Sequence, residues 1–110
     1  RSPASRIWLA LEGGAAVGLV TAHLYEPAPM YRPSLMVHVD DLYVTPTSRG
    51  RGVGSRLIDE ARQWGLSQGA TELRAGVLAA NGAGRAFWET ERARDYSVTV
   101  VLDLEGDRGR

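Results

Sequence analysis

The stretch VTPTSRGRGVGSRL at residues 44–57 sets alternate glycines and two arginines in front of a helical pattern. Glycines at 50, 52 and 54 leave the backbone N–H groups uncovered by side chains, and Arg49 and Arg51 add positive charge. The first N–H groups of a helix have no intrahelical acceptor and lie at the positive end of its dipole. Such a loop grips an anion, and phosphate or pyrophosphate is its natural guest. Two phosphate motifs are excluded by the residues themselves. A Walker loop ends Gly-Lys-Ser/Thr, whereas Gly54 is followed directly by Ser55. A dinucleotide fingerprint counted from Gly50 requires glycine or alanine where Ser55 stands. Counted from Arg49, the pattern is Arg-x-x-Gly-x-Gly, filled by Arg49, Gly52 and Gly54. The bland alternative is a glycine-rich turn with no ligand.

A second group of reactive side chains lies just upstream, in SLMVHVDDLYV at 34–44. Strict alternation places Met36, His38, Asp40 and Leu42 on one face of a strand and Val37, Val39, Asp41 and Tyr43 on the other. Carboxylates in mid-strand point to a bulge, a strand end or a site.

The elements that must position these groups follow from periodicity. RIWLALE (6–12), a Gly13–Gly14 turn and AAVGLVTAHLYE (15–26) read as a hairpin. PAPMYRP (27–33) is a proline-rich loop. From Gly52 to about Gln68 the period is helical, with Val53, Leu57, Ala61 and Trp64 on one stripe and Gly69 as the stop. Arg56 with Glu60, and Asp59 with Arg62, suit the solvated face. TELRAGVLA (71–79) is a fourth strand, and NGAGRAFWETER (81–92) a short helix with Asn81 as N-cap. YSVTVVLDL (96–104) reads as a last strand, with frayed ends at 1–5 and 105–110. Strand, helix and strand across 34–79 suggest a right-handed parallel crossover, with ligands at the carboxyl ends of its strands.

The bulk numbers bound the partners. The chain has 110 residues, 44% apolar and 24% charged, which suits one ordinary globular domain at 1–110. Its 13 basic and 13 acidic residues cancel, so nucleic acid and membrane surfaces are not expected partners. With no cysteine, thiolate catalysis and disulfides are excluded, and two histidines are too few to predict a metal site. No apolar run reaches the roughly 18 residues of a membrane span, and no signal peptide is visible; both fit a cytoplasmic protein. The first residue is Arg1 rather than methionine, consistent with residues upstream of it.

LYVTPTSRGRGVGSRLIDEARQWG (42–65) resembles the acetyl-CoA-binding motif of the GCN5-related N-acetyltransferase (GNAT) superfamily. That motif is a strand ending Leu-x-Val-x-Pro, then Arg-x-x-Gly-x-Gly, then an amphipathic helix. LAANGAGRAFWE (78–89) resembles the family's second motif, Asn-x-x-Ala-x-x-Phe-Tyr-Glu, through Asn81, Phe87 and Glu89. Gly84 stands for the alanine and Trp88 for the tyrosine. The resemblance covers about Ala15 to Leu104. It implies a mixed α/β (α+β) fold: a twisted, mostly antiparallel sheet with one central parallel pair. The chain begins at what reads as the family's second strand, so the family's usual opening strand and two helices, one wall of its acceptor site, are expected to be absent, to lie upstream of Arg1 or to come from another subunit.

The resemblance also implies roles. Backbone N–H groups of Arg49, Gly50, Arg51, Gly52, Val53 and Gly54 would hold the pyrophosphate of coenzyme A. Leu42 and Val44 would pair with its pantetheine arm, the Leu42 N–H would face the thioester carbonyl as an oxyanion donor, and Asn81 would contact the cofactor. Transfer of an acetyl group to a primary amine, by direct attack in a ternary complex, needs a base, because alkyl ammonium groups are protonated near neutrality. His38 and Asp40, two and four residues before Leu42, are the candidates, with Asp41 brought in by a bulge. No metal is required. Trp88 cannot protonate the leaving thiolate as a tyrosine would, which leaves water, Tyr96 or Tyr43. A non-catalytic acyl-CoA-binding module and a ligand-free interaction domain are the alternatives, and the family often forms homodimers.

Overall fold

The computed structural model describes residues 4–26 and 34–104. The proline loop at 27–33 and the tail at 105–110 lie outside them. The chain divides into two compact units, residues 1–78 and 79–110.

The first unit is a four-stranded sheet in the order β1-β2-β3-β4, from β1 (Ser5–Glu12), β2 (Ala15–Tyr25), β3 (Met36–Val44) and β4 (Glu72–Ala75). β1 and β2 form the hairpin read from Gly13 and Gly14, whose φ values of 58° and 84° suit a tight two-residue turn. β3 runs antiparallel to β2 and parallel to β4. Between them runs helix α1 (Val53–Ser67), the expected crossover. It ends where Gly69 takes φ 91°, with Ala70 N–H donating to Gly65 O at 2.8 Å and Gly69 N–H to Leu66 O at 3.1 Å.

α1 buries Leu57, Ile58, Ala61, Trp64 and Gly65 against one face of the sheet, where Val20, Ala22, Val37 and Val39 are also buried. The stripe read from sequence thus gains Ile58 and Gly65. Gly65 is required by contact: a Cβ there would collide with Cγ2 of Val37. On the solvated side Arg62 pairs with Asp59 at 2.7 Å. The opposite sheet face leaves Ile7, Leu9 and Leu11 more than half exposed, at 67%, 57% and 65%.

The second unit holds α2 (Gly82–Thr90). Asn81 caps it as expected, its Oδ1 accepting from Gly84 N–H at 2.9 Å. A Cβ on residue 84 would lie 2.9 Å from Cγ of Asn81, so a larger residue there must shift the capping side chain. The helix stops in the charged stretch that follows Thr90. Arg92 takes φ 68°, Arg92 N–H donates to Glu89 O and Ala93 N–H to Trp88 O. That bond pattern normally selects glycine, and a side chain tolerates it at a cost of roughly 1–2 kcal/mol.

Two strand readings are corrected. The fourth strand is confined to Glu72–Ala75, not 71–79. Residues 96–104 form no strand: Val98, Val100, Val101, Leu102 and Leu104 are 80–85% exposed in irregular chain. Alternating β-branched residues favour a pleated surface only where a neighbouring strand completes the ladder, and none pairs with them among the described residues.

Candidate active site

β3 does not alternate as read from sequence. Its register against β2 runs Thr21↔Asp41 and Ala22↔Val39, so Asp40 is an extra residue, a bulge. The bulge reverses the parity downstream. Leu42 now pairs with Val20 on the α1 side, rather than sharing the face of His38. Asp41 moves to the face of His38, where it accepts from Thr21 Oγ1 at 2.8 Å. Both carboxylates therefore end on the face away from α1.

The same register sets His23 directly opposite His38, with ring centroids 5.3 Å apart. Asp40 lies between them: its Oδ2 is 2.8 Å from His23 Nδ1, and its Oδ1 is 3.1 Å from His38 Nδ1. Partial burial pushes the Asp40 carboxyl up, but the hydrogen bonds from His23 and His38, with their charges, outweigh it and hold it below its ordinary value. His23 was missed in the sequence reading. Cross-strand pairing within the β2–β3 hairpin was its signal, and the two-residue period of both strands could have revealed it.

β3 also frees an edge. Its ladder to β4 stops at Val39↔Ala75, so among the described residues Asp40 is the bulge and Asp41–Val44 pair with β2 alone. After Val44 the chain makes one 3-10 turn at Pro46–Ser48 and enters the glycine loop. Gly50 and Gly52 have φ of 77° and 84°, and among the described residues no heavy atom beyond their chain neighbours lies within 4 Å of where their Cβ atoms would be. Among the described residues, none of the N–H groups from Gly50 to Gly54 donates to a backbone carbonyl, and the first such bond of α1 is Arg56 to Gly52 at 3.1 Å. Gly52 is the N-cap, without a side-chain cap. These groups form an open run of donors, which fits an oxyanion-rich ligand such as a pyrophosphate.

The loop arginines are engaged. Arg51 Nη2 donates to both oxygens of Glu12 at 3.0 Å and to Ser48 Oγ at 3.3 Å. Arg49 Nε donates to Val44 O at 2.8 Å, and its guanidinium lies 5.6 Å from the Tyr43 ring centroid. Glu12 thus enters the loop's electrostatics from β1, which the local motif did not reveal. In the second unit, Trp88 stacks edge-on with Phe87 at 5.1 Å.

Residues 1–92 match the model of the acetyltransferase (GNAT) family, and the chain belongs to that family. The match crosses both units. Thialysine N-epsilon-acetyltransferase of Sus scrofa is 34% identical over 61 residues, covering 56% of this chain and 36% of that protein. The Mus musculus protein of the same name is 36% identical over 73 residues, or 66% and 38% of the two chains. The chain thus spans little more than a third of these relatives' length. Among solved structures, a putative acetyl transferase from Pyrococcus furiosus superposes with TM-score 0.78 at 22% identity, covering 94% of this chain and 68% of that one. AAC(6')-Iy, in complex with a coenzyme A bisubstrate analogue, superposes at 0.80 with 19% identity, covering 93% and 70%. At these identities the superpositions establish the fold.

Proposed function

We propose that the chain transfers an acetyl group from acetyl-CoA to a primary amine of a small molecule or peptide. The observation that carries this is the run of uncommitted N–H groups at Gly50–Gly54, set at the end of a strand whose far edge is open from Asp40 onward. The loop binds the pyrophosphate. Leu42 and Val44 offer main-chain bonds to the pantetheine arm, and the Leu42 N–H receives the charge developing on the thioester oxygen. Acetyl-CoA supplies the activated acyl group.

His38 and Asp40 stand beside the acceptor. With the Nδ1 proton of His38 aimed at Asp40, Nε2 is the nitrogen left to take the proton of the attacking amine. Asp40 acts by orienting that ring. The C–N bond forms at the carbonyl carbon, the C–S bond breaks, and coenzyme A thiolate leaves to be protonated by water. The acceptor amine is cationic before reaction, which suits the carboxylates of Asp40 and Asp41. The names of the curated relatives favour a small amino-acid-like amine. A cytoplasmic location and a homodimer belong to this reading; nucleic acid and membrane do not. No helix among the described residues is long and apolar enough to cross a membrane.

The second reading, a non-catalytic acyl-CoA-binding module, is favoured by Trp88 at the family's tyrosine position. A thermal-shift titration with acetyl-CoA, followed by coenzyme A release over a panel of amines, separates the two. Binding with turnover supports the enzyme, and binding without turnover on any amine supports the module. Arg51→Glu is expected to weaken binding under both, and no binding by the wild-type chain refutes both.

Gly52→Val tests the loop directly. Valine at φ 84° is strained by about 1–3 kcal/mol, which disfavours the loop conformation that presents the N–H groups. Acetyl-CoA affinity is expected to fall by roughly five- to a hundredfold, measured by calorimetry. An unchanged Kd would remove the loop from the donor site.

A further inference from the structure

We infer that His23, His38 and Asp40 form a binding site for one divalent transition ion of the zinc type. The two histidines are the only ones in the chain, and the β2–β3 register sets them opposite one another. The bulge then swings Asp40 between them. One donor atom from each of the three residues lies within 4.8 Å of the others. Two imidazole nitrogens and one carboxylate oxygen are a donor set suited to Zn²⁺ and Ni²⁺, with room left for water in a tetrahedral or larger shell. Zinc takes such ligands at about 2.0–2.2 Å, which sets tetrahedral neighbours about 3.3–3.6 Å apart, so a pair at the 4.8 Å limit closes by rotation of the side chains.

The donors sit on strands rather than on a loop. Their spacing is therefore held by the backbone ladder, and the ordering cost of assembling the site is met in folding. The side chains of His23, His38 and Asp40 are 30%, 43% and 43% exposed, so an ion can enter from solvent. The absence of cysteine removes competing thiolates. On the acetyltransferase reading, an ion held here occupies His38 and Asp40 and blocks the base. Binding itself does not depend on that reading and is measured without donor or acceptor.

The test is calorimetric titration of ZnCl₂ and of NiCl₂ into untagged, metal-stripped protein. One ion per chain is expected. His23→Ala and His38→Ala should each raise Kd by at least about a hundredfold, since loss of a ligand exceeds the 10–100-fold cost of losing a supporting residue. No binding, or binding that survives both substitutions, overturns the site. A second measurement needs no variant. Paramagnetic Ni²⁺ should broaden the imidazole C–H signals of His23 and His38 together at substoichiometric metal. Broadening of one ring alone, or of neither, also overturns it. These outcomes are separate from acetyl transfer, which is assayed in the presence of a chelator.

Discussion

Replacing His38 by alanine is expected to lower kcat for acetyl transfer by about 10²–10⁴-fold, the usual contribution of a positioned general base. The Kd for acetyl-CoA should stay near that of the wild type, because the glycine loop proposed to hold the pyrophosphate lies beyond the end of β3, away from the ring. Asp40→Asn should reduce kcat in the same direction through its effect on ring orientation, without touching donor affinity. The assay is coenzyme A release under saturating donor, with a chelator to keep the cluster free of metal. Substrate offered already deprotonated, at high pH, should recover much of the His38→Ala rate, because the missing step is then unnecessary. A kcat within a few-fold of wild type at neutral pH would place the base elsewhere, and the carboxylate of Asp41 would be the next group to test.

The second large effect is on stability. Trp64→Ala is expected to cost about 3–5 kcal/mol, the range for truncating a buried aromatic. Trp64 is only 8% exposed and meets Trp8 edge-on with centroids 5.5 Å apart, while the Arg6 guanidinium lies 5.6 Å from its ring. It ties α1 to the outermost strand of the described sheet. Because total stabilities run to about 5–15 kcal/mol, this loss is a large share of the whole. Thermal unfolding followed by circular dichroism should show Tm lowered by about 12–20 °C, taking about 4 °C per kcal/mol for a chain of this size. Trp64→Phe should recover much of it by keeping an aromatic ring against Trp8. A drop of under about 3 °C for the alanine variant would show that α1 and β1 do not share a core.

The local motifs were legible because local chemistry writes them. Gly13–Gly14, Gly52, Gly69 and Asn81 stand where the turn, the N-caps and the helix stop occur, since each meets a backbone demand set within a few residues of itself. The α1 stripe was legible for the same reason: a period of 3.6 is carried by the segment alone. The reading of 96–104 failed because strand formation depends on a neighbour. Its residues have the composition of a strand, but a ladder is a property of two segments.

The candidate-site cluster shows the same division. The residue types and the loop pattern of 49–54, and with them the acetyltransferase resemblance, were readable in one dimension. A bulge among the carboxylates was already an expectation, but the tertiary structure alone fixed it at Asp40, exchanged the faces of Leu42 and Asp41, closed His23 on Asp40 and set Glu12 on Arg51. The reason is physical. A one-residue slip in a ladder costs little locally yet reverses every side chain beyond it, so register is settled by packing across strands. Side chains far apart in sequence meet only when that register is set.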